Sequence, residues 1–409
     1  MIRRAASALA IPDRARAVLA AAAGLIALLG LTSCGGESTK PAAPTVRELL
    51  KLPEHIQEPF IPDYNPISAG KIALGRRLFY DRMLSGNRTQ SCASCHRQEL
   101  GFADGIPRPF GSTGQMLARN SQGLANVAYN ASFTWGNNVL LDLEHQIHVP
   151  IEADNPIELG VIDGNRAEVL ARFDNDAVYH AMFADAFPDD PGPVTINKIV
   201  FALASFLRTM VSGGSAYDRY YAGDATALDE SQVRGLRLFN SERFECFHCH
   251  SGVNLSISYR DARTTPGTIT YPFFNNGLYN VGGSGDYPHG NQGLFEVTQN
   301  PDDRGMFRPQ GMRNIALTAP YMHDGSIPTL TDVVKHYARG GRLTSSGPDA
   351  GDGRLSPLKS GLIRGFEASD EEIADVVHFL ESMTDPFFLN NPDFSDPFLE
   401  EAAARPRLP

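Results

Sequence analysis

The chain has 409 residues, a formal net charge of −11, 42% hydrophobic and 20% charged residues. These values suit a soluble globular protein with a sizeable core and leave room for two or three domains. The acidic balance argues against nucleic acid as a partner and mildly favours a basic protein, although plain solubility explains it equally well.

Residues 1–16 carry Arg3, Arg4, Arg14 and Arg16, and the apolar run Ala17 to Leu31 that follows is too short and too Ala-rich to read as a membrane span. It ends in Leu31-Thr32-Ser33-Cys34-Gly35, which resembles a bacterial lipobox with Cys34 as the diacylated first mature residue. Residues 1–33 are therefore expected to be a lipoprotein signal peptide, placing the protein in the periplasm and touching the membrane only through its anchor. An ordinary cleaved signal peptide, with Cys34 incidental, is the alternative. Removing residues 1–33, with four Arg and one Asp, moves the net charge from −11 to −14. The Gly-, Ser- and Pro-rich stretch that follows reads as a flexible tether, residues 34–45.

The globular part opens near Val46. Leu74-Gly75-Arg76-Arg77-Leu78-Phe79-Tyr80 leads into Cys92-Ala93-Ser94-Cys95-His96, and Gly235-Leu236-Arg237-Leu238-Phe239-Asn240 leads into Cys246-Phe247-His248-Cys249-His250. A C-x-x-C-H run reads as a covalent c-type haem site, in which two thiols form thioethers with the porphyrin and the imidazole is the proximal iron ligand. Zinc knuckles, thioredoxin-like pairs and disulfides are the competing readings. Paired zinc motifs usually stand about 15–20 residues apart, whereas these are separated by much of the chain, and neither a disulfide nor a redox pair gives the adjacent His a role. Two covalent haem c groups follow, with His96 and His250 on the two irons.

The repeat of helix and haem loop predicts a mainly α protein of two tandem class I cytochrome c-like domains, 46–223 and 224–388. Between them, Ile199, Val200, Leu203, Phe206, Leu207 and Met210 form a helical apolar stripe assigned to core. Ser369-Asp370-Glu371-Glu372 reads as a capping box opening the closing helix of the second domain. The tail, 389–409, has no sequence-level role. From His96 to His145 there is no histidine and only Met116 as a soft ligand, so the first haem is expected to be open on its distal side.

Further stretches carry a resemblance: Asn126-Val127-Ala128-Tyr129-Asn130, Asn155-Pro156-Ile157-Glu158-Leu159-Gly160, Arg313 through Pro320-Tyr321-Met322-His323-Asp324-Gly325-Ser326, and His336-Tyr337-Ala338-Arg339-Gly340-Gly341. With the haem motifs they resemble the bacterial di-haem cytochrome c peroxidase superfamily from about Ile67 to Met383, and within it the MauG-like and MbnH-like members. The resemblance implies a peroxidatic high-spin haem in the first domain and a low-spin haem in the second. Classical members block the first haem with a loop histidine. This chain has none between Arg97 and Asn120, which implies a permanently open site.

At the second haem the resemblance places Tyr337 where classical members have Met, with Met322 and His336 as alternative ligands. A phenolate is hard and anionic and favours oxidised iron, whereas a thioether favours ferrous iron. Acid–base work on peroxide falls to Glu158, with Gln146 and Pro150 shaping the pocket; the Gln146–Glu158 interval is slightly longer than in classical members, and Glu152 and His148 are fallbacks. Trp135, the single tryptophan, is the implied relay between haems, and Asn126, Thr318 and Pro320 match an inter-haem Ca²⁺ site. The implied reaction is oxidation of a periplasmic partner protein, possibly copper-binding, by hydrogen peroxide, with a tryptophan modified. Peroxide reduction fed by a small cytochrome c is the alternative, and pure electron transfer a third.

Overall fold

The computed structural model of the protein describes residues 43–404. The expected signal peptide, Cys34 and nearly all of the tether lie outside the described residues. Among the described residues no helix is long and apolar enough to cross a membrane.

The architecture is mainly helical. Among the described residues strand is confined to two short antiparallel ribbons, Phe274–Asn275 with Met306–Phe307 and Leu343–Thr344 with Gly351–Asp352. Two helix pairs dominate. In the first, Ala69–Tyr80, capped by Ser68, lies across Ile196–Thr209, whose apolar stripe is buried along nearly its whole length. In the second, Glu230–Phe239 lies across Asp370–Glu381. Both helices of this second pair open with a capping box, Asp229 with Gln232 and Ser369 with Glu372, each satisfying otherwise orphaned N–H groups.

One glycine per pair sets the approach. A Cβ on Gly75 would lie 2.0 Å from the Ala202 carbonyl oxygen, and one on Gly235 would lie 1.9 Å from that of Asp375. The helices therefore cross with backbone against backbone, which explains why glycine recurs at the same place in both repeats. Gly235→Ala gains about 1 kcal/mol of helix propensity but forces the pair apart, so we expect a net loss of about 1–3 kcal/mol. Chemical denaturation checks this; an unchanged midpoint would contradict the close crossing.

The repeat extends to two asparagines in left-handed backbone conformation, Asn126 (φ 56°) and Asn314 (φ 57°). Asn126 donates its N–H to the Met210 carbonyl (2.9 Å), and its amide pairs with both backbone groups of Ser212 (2.6 and 3.0 Å). Asn314 donates its N–H to the Met383 carbonyl (3.2 Å) and accepts from the Asp385 N–H (2.8 Å). Each asparagine thus pins the chain after its haem loop to the end of its closing helix.

Two apolar cores result. One is built on Leu74, Leu78, Phe79, Ile199, Leu203 and Phe206, the other on Phe239, Val376, Phe379 and Leu380. They trade segments. Trp135 packs against the second core, while Tyr259, Phe388 and the tail residue Phe394 pack into the first. The tail therefore acquires a role that its composition does not display. From Asp385 it runs back along the first core, with Phe388 and Phe394 edge-on to Phe102, and Pro397–Ala404 places Glu400 and Glu401 on Arg76 and Arg77.

Candidate active site

Each C-x-x-C-H run begins with a single 3-10 turn, Cys92–Ser94 and Cys246–His248. The four thiols are free and half-buried. Burial pushes the Cys92, Cys95 and Cys246 thiols up to about 12 and Cys249 up to about 11, as suits thiols set among apolar side chains. His96 Nδ1 pairs with the Phe102 carbonyl (2.8 Å) and His250 Nδ1 with that of Leu255 (3.1 Å). Such a bond fixes the ring and leaves Nε2 as the nitrogen offered to a metal. Burial lowers both imidazole pKa values, His250 to about 4, which keeps the ligating neutral form.

Beside the second motif lies a cavity of about 460 Å³, lined by Cys246, Cys249 and His250, by the apolar Phe239, Val334 and Leu380, and by Tyr337. Its size and its mostly apolar lining suit a flat aromatic cofactor. Tyr337 projects from the Leu330–Ala338 helix, and burial raises its phenol to about 12. Met322 also lines the cavity, its sulfur accepting from Asn276 Nδ2 (3.4 Å). His336 faces elsewhere: it is buried, with Nε2 at 3.0 Å from the Asn276 carbonyl oxygen. The residues at this cradle would fit a covalent haem held by Cys246, Cys249 and His250, with Tyr337 and Met322 in the same cavity wall.

The same cavity wall contains Arg308, which no sequence motif singles out. It is 2% exposed and donates to Gln122 and Gln310 Oε1 and to the Thr134 carbonyl, yet its Nη1 has no partner among the described residues. Burial alone lowers its pKa to about 9. An isolated guanidinium is costly to bury, and an unpaired N–H in a haem-sized cavity suits an acidic substituent of the cofactor. This is a second feature that fits the group.

At the first motif, Glu158 is half-buried and accepts no side-chain hydrogen bond among the described residues. Burial alone raises its carboxyl to about 7, and its charge is felt by both Cys92 and Cys95. Its backbone is tied on both sides: the Glu158 carbonyl accepts from Ser112 N–H (2.8 Å), and the Leu159 N–H donates to the Pro150 carbonyl (2.9 Å). Pro150 stands one turn after Gln146 on the Leu143–Glu152 helix, and Gln146 Oε1 is buried without a partner. Pro150 and the Glu158 segment are thus brought together despite the longer interval. The fallbacks are otherwise engaged, since Glu152 is held by His148 (2.5 Å) and Arg166 (2.8 Å). Met116 is 47% exposed on a surface hairpin, which removes the one soft candidate near the first haem loop.

The segment 120–125 lies between the two cradles. The Gln122 backbone neighbours the His96 ring, while its side chain takes the Arg308 bond at the second cavity. Trp135 lines that cavity and donates Nε1–H to the Asn120 carbonyl (2.8 Å). Thr318 and Pro320 line it as well. The Asn126 amide is occupied by Ser212, so a cation there would share an oxygen that already accepts a hydrogen bond.

The family profile described as di-haem cytochrome c peroxidase matches residues 69–226. The cytochrome-c peroxidase IdrP1 of Pseudomonas sp. (strain SCT) is 33% identical over 386 residues, 90% of this chain and 93% of that protein. The methylamine utilization protein MauG of Methylorubrum extorquens is 29% identical over 356 residues, 86% of this chain and 90% of its own length. The crystal structure of a MauG-like protein associated with microbial copper homeostasis is 47% identical, covers 85% of this chain and 98% of its own, and superposes with a TM-score of 0.82. Such relatives imply two haem c groups, in keeping with two cradles of the same build. The chain belongs to the di-haem cytochrome c peroxidase family and is a peroxidase-type haem oxidoreductase.

Proposed function

We propose that this protein uses hydrogen peroxide to oxidise a partner protein, in the manner of the MauG-like and MbnH-like members, after export to the periplasm and tethering through Cys34. The observation that carries the reading is Tyr337, a phenol in the wall of the cavity that holds Cys246, Cys249 and His250. As the second ligand it would make that site a holder of oxidising equivalents rather than a store of electrons.

When bound, the two haems supply the redox iron at which peroxide is reduced and on which the oxidising equivalents are held. His96 and His250 would be their proximal ligands, with the four cysteines as attachment points. Glu158 takes the proton from the near oxygen of hydrogen peroxide and returns it to the far one, which then leaves as water. A carboxyl poised near pH 7 serves both halves of that transfer. Gln146 Oε1, lacking a partner, accepts a hydrogen bond from the peroxide, and the Pro150 carbonyl holds the Glu158 segment against the helix. Trp135 passes oxidation between the sites. A Ca²⁺ ion at Asn126, Thr318 and Pro320 belongs to the same proposal. A copper-binding partner is supported by the relative associated with copper homeostasis.

The second reading, peroxide reduction fed by a small cytochrome c, is supported by relatives that bear the peroxidase name. One experiment separates them. The fully oxidised holoprotein is mixed with stoichiometric peroxide and no reductant. Immediate consumption supports the protein-oxidising reading, whereas reaction only after half-reduction supports the gated peroxidase. Tyr337→Met is expected to raise the potential of the second haem and to make peroxide consumption depend on prior reduction, as redox titration and stopped-flow absorbance would show.

A further inference from the structure

The chain has one tryptophan, and Trp135 is half-buried against the second cavity. In the proposed reaction Trp135 passes oxidation between the two sites. Its Nε1–H donates to a neutral carbonyl, that of Asn120, which cannot take the proton away. Oxidised Trp135 therefore keeps its positive charge and readily draws an electron from a neighbour.

Aromatic rings continue from it. Trp135 meets the buried His323 ring edge-on at 6.5 Å between centroids, and His323 stacks on Phe307 at 3.8 Å. His323 in turn meets Tyr287 at 5.9 Å and Tyr279 at 6.5 Å, and the two tyrosines lie 5.5 Å apart. The tyrosines differ at their hydroxyls. Tyr287 is buried and donates to the amide oxygen of Asn275 (2.9 Å), a poor proton acceptor. Tyr279 is half-buried and donates to a carboxylate, Asp324 Oδ2, at 2.7 Å. The Arg342 guanidinium lies 4.3 Å from the Tyr279 ring centroid. A cationic tyrosine there is disfavoured, so electron and proton must leave Tyr279 together.

We propose that Tyr279, with Asp324 as its proton acceptor, is the station from which oxidising equivalents leave this protein for its partner. The inference rests on the peroxide reaction proposed above. Hydrogen peroxide is the oxidant and takes two electrons and two protons to become two waters. Each electron withdrawn through Trp135 is replaced by one from Tyr279. The Tyr279 O–H bond breaks, its proton moves to Asp324 Oδ2, and a neutral phenoxyl radical remains. A side chain of the partner returns one electron and releases one proton to solvent, and the Tyr279 proton goes back from Asp324 to the phenol; two such cycles supply the two electrons and two protons that peroxide takes up.

The holoprotein, Tyr279→Phe and Asp324→Asn are mixed with stoichiometric peroxide without partner, freeze-quenched and compared by electron paramagnetic resonance, with peroxide consumption read in parallel. A tyrosyl signal in the parent, lost in Tyr279→Phe and reduced several-fold in Asp324→Asn, at unchanged consumption, is expected. Digestion and mass spectrometry should locate oxidation or cross-linking at Tyr279 in the parent. A tyrosyl signal that survives Tyr279→Phe, or a parent that consumes peroxide and forms none, overturns the assignment. A parent that consumes no peroxide overturns the proposed function itself, and the relay with it.

Discussion

Glu158→Gln in the haem-loaded protein is expected to slow the reaction with hydrogen peroxide by about 10²–10⁴-fold, the range for loss of a positioned acid–base group. The amide keeps the shape but cannot shuttle a proton. Folding should be unaffected, because the carboxyl makes no hydrogen bond that an amide would lose and burial only penalises its charge. The parent's rate should also depend on pH in a stated sense. With the carboxyl titrating near 7, the basic form is complete above that value, and the rate should fall by roughly tenfold per unit well below it. The titratable groups it faces most closely, Cys92 and Cys95, no longer titrate once they are thioethers. A flat profile in Glu158→Gln, against a sloped one in the parent, would tie the slope to this residue by stopped-flow absorbance. An equal slope in both would assign it elsewhere.

Asp385→Ala is expected to cost about 3–5 kcal/mol, since removing a buried acceptor strands several donors at about 1–3 kcal/mol each. The side chain is 2% exposed. One oxygen accepts from Ser212 Oγ and the Gly213 and Gly214 N–H groups (3.1, 3.0 and 2.9 Å), the other from the Phe387 and Phe388 N–H groups (3.0 and 3.2 Å). Alanine leaves these donors unpaired, and each carries its own desolvation penalty. Urea unfolding of the holoprotein reads the loss, and Asp385→Asn, which keeps one acceptor, should recover part of it. A midpoint within error of the parent would mean that water replaces the carboxylate in full.

What could be read from the chain and what could not divides along contact distance. Thioether chemistry needs two cysteines and a histidine in one pentapeptide, so the cradles are visible at Cys92–His96 and Cys246–His250. Helix caps and apolar stripes are equally local, which is why Ile196–Thr209 and Asp370–Glu381 are legible. Glu158 is a different case. Nothing in its neighbourhood marks it, and it surfaces only through resemblance; its elevated pKa comes from atoms that the fold brings around it. Arg308 and Asp385 surface by neither route. The partners of Arg308 include Gln122, and those of Asp385 include Ser212, so their roles exist only once the chain has closed. Among the alternatives weighed for the second haem, geometry separates Tyr337 and Met322, at the cavity wall, from His336, which turns to Asn276.

The returning tail has a consequence for how the protein is made. Phe102, six residues beyond His96, completes its packing against Phe388 and Phe394, which follow the second haem motif in the chain. Packing around Phe102 therefore cannot be complete until the segment after Asp385 has folded back onto the first core. The docking of Phe388 and Phe394 acts as a latch that ties completion of the first core to the chain beyond the second motif. A chain cut back to Asp385 would carry both motifs and still lack two of the rings that pack against Phe102.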